Sequence, residues 1–220
     1  MNIAIVLYDR FTALDAVGPY EVLSRLPGAS VAFVAAEPGP VRTDNGMLTL
    51  IAERSLEQVP EPDIVLVPGG PGEVGARAGG AVLDWLRAAD RTSTWTTSVC
   101  TGSLILAAAG LLDGRRATSH WLALDELRRL GAEPVAERVV FDGKLVTAAG
   151  VSAGIDMALT LAARIAGETV AQAIQLGIEY DPQPPFDAGS PHKAPAEVVE
   201  LLRSRSRFEA REHEEAQAAR

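Results

Sequence analysis

At 220 residues, 47% of them hydrophobic, the chain can bury one substantial core, and it reads as a single α/β domain over 1–196 followed by a charged helix or tail over 197–220. Its formal net charge of −9 repels phosphate backbones and anionic lipid surfaces, which argues against nucleic acid and membranes as partners. A single cysteine excludes an internal disulfide and any multi-cysteine metal site, and three widely spaced histidines give zinc or iron little to bind, so no metal is expected.

In chain order, Asn2 to Leu7 is a short, continuous apolar run rich in Ile, which predicts a buried strand ending at polar Tyr8-Asp9-Arg10. From Asp15 to Leu26, Val17, Tyr20, Val22 and Leu23 recur at helical spacing, and Gly28 closes the segment. Val31 to Ala36 is a second strand. Asp44-Asn45-Gly46 is a turn between two extended pieces, Val41 to Thr43 and Met47 to Ile51, and predicts a small hairpin at the sheet edge. Asp63 to Val67 is another buried strand, running into Pro68-Gly69-Gly70-Pro71-Gly72. A helix over Ala81 to Ala89, a strand over Thr94 to Val99 and a helix reaching Leu112 follow. His120 to Leu130 reads as helical, Arg138 to Ala148 as a hairpin through Asp142-Gly143, Ile155 to Ala166 as a long apolar helix and Thr169 to Tyr180 as its continuation. Asp181 to Pro195 shifts to Pro, Gly, Ser and Asp, an ordered surface crossing or linker, after which one more helix fits. Nothing in Met1 to Tyr8 has the form of an export signal, and no apolar run approaches ~18–20 residues, so a soluble, cytoplasmic protein is expected.

Buried strands alternating with amphipathic helices predict a doubly wound, flavodoxin-like fold: a mainly parallel sheet covered by helices on both faces. Ligands of such sheets sit beyond the carboxyl ends of the strands. Three loops collect there: the one ending the first strand, the Gly69-Gly70 loop, and the junction at Cys100.

Cys100 stands where a β-rich run gives way to Thr101-Gly102-Ser103 and a helix, the outline of a nucleophile elbow. Unpaired amides of the first helical turn favour thiolate over thiol, so a lowered pKa is expected there. A buried structural cysteine is the plainer alternative. Asp15 is either a first-turn acid of its helix or a carboxylic acid reaching the Cys100 thiol from the adjacent strand end. Gly69-Gly70 is either a flexible turn or a place where amides approach a reacting centre as anion-stabilising donors. His120, ahead of Trp121, is either a structural residue or the base of a cysteine-histidine hydrolase.

Together, Leu14-Asp15-Ala16-Val17-Gly18-Pro19, Pro68-Gly69-Gly70, Ser98-Val99-Cys100-Thr101-Gly102-Ser103 and Ala117-Thr118-Ser119-His120-Trp121 resemble the ThiJ/PfpI superfamily, whose fold is class I glutamine amidotransferase-like. Within it they resemble the bacterial isonitrile hydratase group, and the likeness continues through Gly150 to Asp156, Glu179-Tyr180 and Pro184 to Pro191. Many relatives have Glu where this chain has Asp15, and protease-like ones have His where it has Thr101; both departures point away from peptide hydrolysis. The resemblance implies Cys100 as nucleophile, Asp15 as acid/base and Thr101 as an auxiliary hydrogen-bonding group; Gly70, His120 and Trp121 are expected to contact the substrate. It further implies a small-molecule isonitrile substrate, no cofactor, and a homodimer. A glyoxalase-like or deglycase-like enzyme on α-oxoaldehydes and a thiol sensor or chaperone-like protein are the competing expectations.

Overall fold

Residues that are apolar on both faces of a strand belong in the middle of a sheet, and the chain obeys this. In the computed structural model, which describes residues 1–208, β1 (Asn2–Val6) and β6 (Ile64–Val67) are buried almost throughout and lie side by side at the centre. α1 (Ala13–Leu23) leads to β2 (Ser30–Ala35), parallel to β1. β3 (Gly39–Arg42) and β4 (Thr49–Ala52) pair antiparallel, and β5 (Arg54–Ser55) extends the main sheet beyond β2. After β6 come a four-residue helix α2 (Glu73–Ala76), then α3 (Ala81–Ala89), β7 (Trp95–Val99) and α4 (Gly102–Ala108). β8 (Arg116–Ala117) pairs with β9 (Glu133–Pro134) on either side of α5 (Leu124–Arg129). β10 (Val139–Asp142) and β11 (Leu145–Ala148) form the Asp-Gly hairpin, and α6 (Ala153–Ala166), α7 (Glu168–Gly177) and α8 (Ala196–Ser204) complete the described chain.

The main sheet has seven strands in the order β10-β11-β7-β6-β1-β2-β5, parallel throughout except for the edge strand β10. α1 packs on α6 and α6 on α7 over one face, while α3, α4 and α5 form a chain of contacts over the other. This is the doubly wound α/β arrangement. Leu66, Ile5, Leu104 and Ile105 are among the fully buried side chains between the layers.

Two details differ from the sequence reading. The 39–52 hairpin is a sheet of its own, tied to the loop after β1 by Arg10 N–H to Arg42 O (2.9 Å) and Asp44 N–H to Phe11 O (2.9 Å). The helix after Cys100 stops at Ala108, because Gly110 N–H turns back to Ala107 O and Leu111 N–H to Leu106 O, the paired bonds of a Schellman ending. Beyond residue 196 the further helix is α8, and this segment packs on the rest of the chain: Val199 is buried, and Arg207 donates to Pro71 O (2.9 Å) and pairs with Glu73 (2.7 Å). Glu73 is fully buried and also pairs with Arg77, which bridges to Glu126 at 2.6 Å. The remainder of that expected tail, 209–220, lies outside the described residues. Among the described residues no helix is long and apolar enough to cross a membrane.

Candidate active site

The junction between β7 and α4 is a sharp turn held in an unusual backbone conformation. Cys100 has φ 57°, a left-handed geometry that costs a non-glycine residue free energy and persists only when its surroundings enforce it. They do so at both ends of the residue. Its N–H lies 3.0 Å from both Ala148 O and Ala149 O, and its carbonyl accepts the hydroxyls of Ser103 and Ser119, each at 3.1 Å. Gly102 is required for the turn to fit, since a Cβ there would stand 2.1 Å from the Val67 carbonyl oxygen.

The side chains at this turn meet those of two neighbouring strand ends. Asp15, on the first turn of α1, is completely buried, and its Oδ2 accepts the Gly69 N–H at 2.8 Å. The Cys100 thiol acts on the same carboxyl group, whose Oδ1 is buried without a hydrogen-bond partner. Thr101 Oγ1 accepts the Gly70 N–H at 2.9 Å and also acts on the Cys100 sulfur, together with the backbone N–H groups of Thr101 and Val151. Two successive glycine amides therefore fix two side chains: Gly69 holds Asp15, and Gly70 holds Thr101. On the far side of these peptide groups, Tyr8 Oη donates to Pro68 O (2.7 Å) and Thr12 N–H to Gly69 O (2.8 Å).

Burial decides the proton inventory. Desolvation raises the Asp15 carboxyl to about 7, the Asp44 charge adding to it, while the bonds from Gly69 and Cys100 pull the other way. The Cys100 thiol is pushed up to about 12, mainly by burial and then by the Asp15 charge, against the hydrogen bonds from Val151 and Thr101. The lowered pKa expected for Cys100 is not found: loss of solvation outweighs the amides at the helix start and disfavours the thiolate, so the neighbouring carboxyl group is the available acceptor for its proton.

Thr101 lies in the cluster with Cys100 and Asp15. Gly70 is there in a different capacity, because its amide is committed to the Thr101 hydroxyl and is not offered to a substrate. His120 caps a short helical turn, its Nδ1 accepting the Leu122 N–H at 3.3 Å, and burial lowers its pKa. The ring lies against Gly150, where a Cβ would approach it to 2.8 Å, and 6.0 Å from the ring of Trp121. With its Nδ1 lone pair committed to the Leu122 N–H and its basicity lowered by burial, this imidazole is a poor general base. Trp121 is half-buried beside it.

Val151 and Tyr8 are residues that sequence reasoning did not assign to the site, and Gly69, weighed there only as a possible anion-stabilising amide, serves instead to hold Asp15. Gly69 was visible in the Pro68-Gly69-Gly70 run, but not the reason for it: a Cβ there would lie 2.5 Å from Thr101 N, 2.8 Å from Thr101 Oγ1 and 2.9 Å from Asp15 Oδ2. Gly69→Ala is accordingly expected to lower turnover at least about tenfold, as misplaced catalytic groups do, while the protein still folds. A variant with unchanged kcat and KM would show that the loop can yield. Val151, at φ 33°, carries no local signal, since a β-branched residue is among the least expected in that region.

Comparison with known proteins places this geometry among relatives. The sequence model of the DJ-1/PfpI family matches residues 1–164. The isonitrile hydratase of Pseudomonas putida is 46% identical over 206 residues, which make up 94% of this chain and 90% of that one. The HTH-type transcriptional regulator CdhR of Pseudomonas aeruginosa is 35% identical over 162 residues, 72% of this chain but only 48% of the regulator. A crystal structure of a THiJ/PfpI family protein from Pseudomonas syringae superposes with a TM-score of 0.89 at 39% identity, covering 91% of this chain and 84% of that one.

Proposed function

The chain belongs to the DJ-1/PfpI family, and we propose that within it the protein is an isonitrile hydratase, adding water to an isonitrile to give an N-substituted formamide. The near full-length likeness to an enzyme of that activity carries the reading, and the dry pairing of the Cys100 thiol with the Asp15 carboxyl gives it a chemistry.

An isonitrile's terminal carbon is electrophilic and also holds a lone pair. The turn at Cys100 serves as a nucleophile elbow, presenting the sulfur to that carbon. The Asp15 carboxylate takes the thiol proton and passes it to the carbon as the S–C bond forms, so S–H adds across one atom and leaves a thioimidate on Cys100. Asp15 is a carboxylate again. It then removes a proton from water as the hydroxyl group adds to the thioimidate carbon, and returns that proton to nitrogen. As the carbonyl forms, the C–S bond breaks and the sulfur regains a proton from the hydroxyl group. The Thr101 hydroxyl and the Thr101 and Val151 amides face the sulfur during its transient negative charge. A carboxyl titrating near 7 can both give and accept protons at neutral pH, which is the condition for general acid/base work in both halves.

The site suits this reading better than a thiol sensor. A sensing cysteine needs exposure and thiolate character, whereas Cys100 is buried and held as a thiol. A single cysteine fits a cytoplasmic setting. A homodimer would cover exposed Phe186, Leu201 and Leu202 near the proline-rich segment.

The decisive test is incubation of the purified protein with aryl, cyclohexyl and small alkyl isonitriles in ¹⁸O-labelled water. Labelled formamide is expected, from a protein sedimenting at twice the mass of one chain. Absence of product from every isonitrile would overturn the assignment.

A further inference from the structure

A planar peptide group has two ends, and the one between Pro68 and Gly69 is bonded at both. Its N–H holds Asp15 Oδ2 at 2.8 Å, and its carbonyl oxygen accepts the hydroxyl of Tyr8 at 2.7 Å. Both bonds are buried. Hydrogen bonds in such a row polarise one another: donation to the carbonyl draws charge toward oxygen and makes the N–H a stronger donor. We propose that Tyr8 is a positioning residue for Asp15, acting through the Pro68–Gly69 peptide group that joins them by hydrogen bonds.

The phenol does not itself give or take a proton in this role. Burial and the charges of Asp15, Cys100 and Glu73 raise its pKa well above the ordinary tyrosine value, Arg207 opposing them, so it stays a neutral donor. Its oxygen meets the carbonyl, and the carbonyl's own peptide carries the effect onward. Two consequences follow for Asp15. The donor that favours its carboxylate form is strengthened, and the plane of that donor is fixed against rotation. The other groups acting on Asp15 are Cys100 from the β7–α4 turn and Asp44 from the 39–52 hairpin. Neither is altered by removing one hydroxyl from Tyr8, so their contributions cancel in a comparison.

The test is Tyr8→Phe, which keeps the ring in the core and removes only the hydroxyl. The readout is the ¹³C titration of the Asp15 carboxyl in labelled protein, with Asp15→Asn identifying the signal. The midpoint is expected to move upward by about half a pH unit, the size set by losing part of one hydrogen bond's strength. Turnover reports the same change and rests on the hydratase reading: kcat/KM should fall about threefold on the acid side of the profile and little above it, because Asp15 must be a carboxylate to accept the thiol proton. Insertion of 3,5-difluorotyrosine at position 8, a stronger donor of similar size, should shift the Asp15 midpoint downward. A role confined to packing would alter Tm and leave the titration in place. Coincident midpoints in the native, Phe and fluorinated proteins would overturn the proposal. Since the titration needs no substrate, a protein that left isonitriles untouched would sink the hydratase reading without deciding the role of Tyr8.

Discussion

Formamide production should fall to the uncatalysed rate when Cys100 is replaced by Ala or Ser. No other thiol exists in the chain to substitute for it. A serine hydroxyl in the same dry turn would be far harder to deprotonate than the thiol, and it lacks the sulfur's nucleophilicity. The substitution barely disturbs the surroundings, because the backbone of residue 100 is fixed by the Ala148, Ala149, Ser103 and Ser119 bonds and not by its side chain. Thermal unfolding should therefore remain close to that of the native protein while the activity is lost. Mass spectrometry of the native protein quenched during turnover should find the isonitrile's mass added to the peptide containing Cys100, and none on the Ser variant. Residual turnover in Cys100→Ala above the uncatalysed rate would mean that water is delivered directly and that the thioimidate is not on the path.

Asp15→Asn separates catalysis from stability in the opposite sense. The amide oxygen can still accept the Gly69 N–H, but the group can no longer carry a proton between sulfur, carbon and water. A loss of about 10²–10⁴-fold in kcat/KM is expected, the usual worth of a positioned acid/base. Stability should rise. An aspartate gives up its proton near pH 4 in the unfolded chain and near pH 7 in this fold, so between those values the folded state holds the extra proton. Stability conferred by the protonated group is thus present in full below about pH 4 and is lost as the pH rises through about 7. By pH 8 the buried carboxylate is a net cost of about 2–4 kcal/mol, which Asn removes. Denaturant unfolding at pH 8 should place Asp15→Asn above the native protein, and the gap should close toward pH 4. Equal stability at both pH values would show that Asp15 is not held at a raised pKa.

The parts of the fold that could be read from the sequence were those governed by short-range pattern. Asn2 to Leu7 and Asp63 to Val67 are apolar on both faces and became the adjacent central strands; the Asp142-Gly143 turn and the helix over Ala81 to Ala89 also fell where expected. The two-residue strands β5, β8 and β9 have too little sequence to carry a period, and α2 follows a Pro-Gly run that reads as loop. At the site, Cys100 stood out because it marks a break between strand and helix, whereas the acid/base role of Asp15 and the part of Thr101 came from the family resemblance. The protonation of Cys100 did not stand out, because it depends on how much water the assembled layers exclude, a property no stretch of neighbours encodes. The direction of the Gly70 amide was equally invisible: whether it faces a substrate or Thr101 is set by the meeting of two strand ends 31 residues apart in the chain.

The contact of Arg207 with Pro71 and Glu73 joins the end of the described chain to the loop that carries Gly69 and Gly70. A ribosome makes the chain amino terminus first. During synthesis the sheet, both helical layers and every residue of the reacting centre exist before Arg207 does, and over that interval the buried Glu73 lacks one of its guanidinium partners. The Arg207 contact is therefore a late addition to a loop laid down long before it, so the outer support of that loop is acquired after the residues it backs have been made.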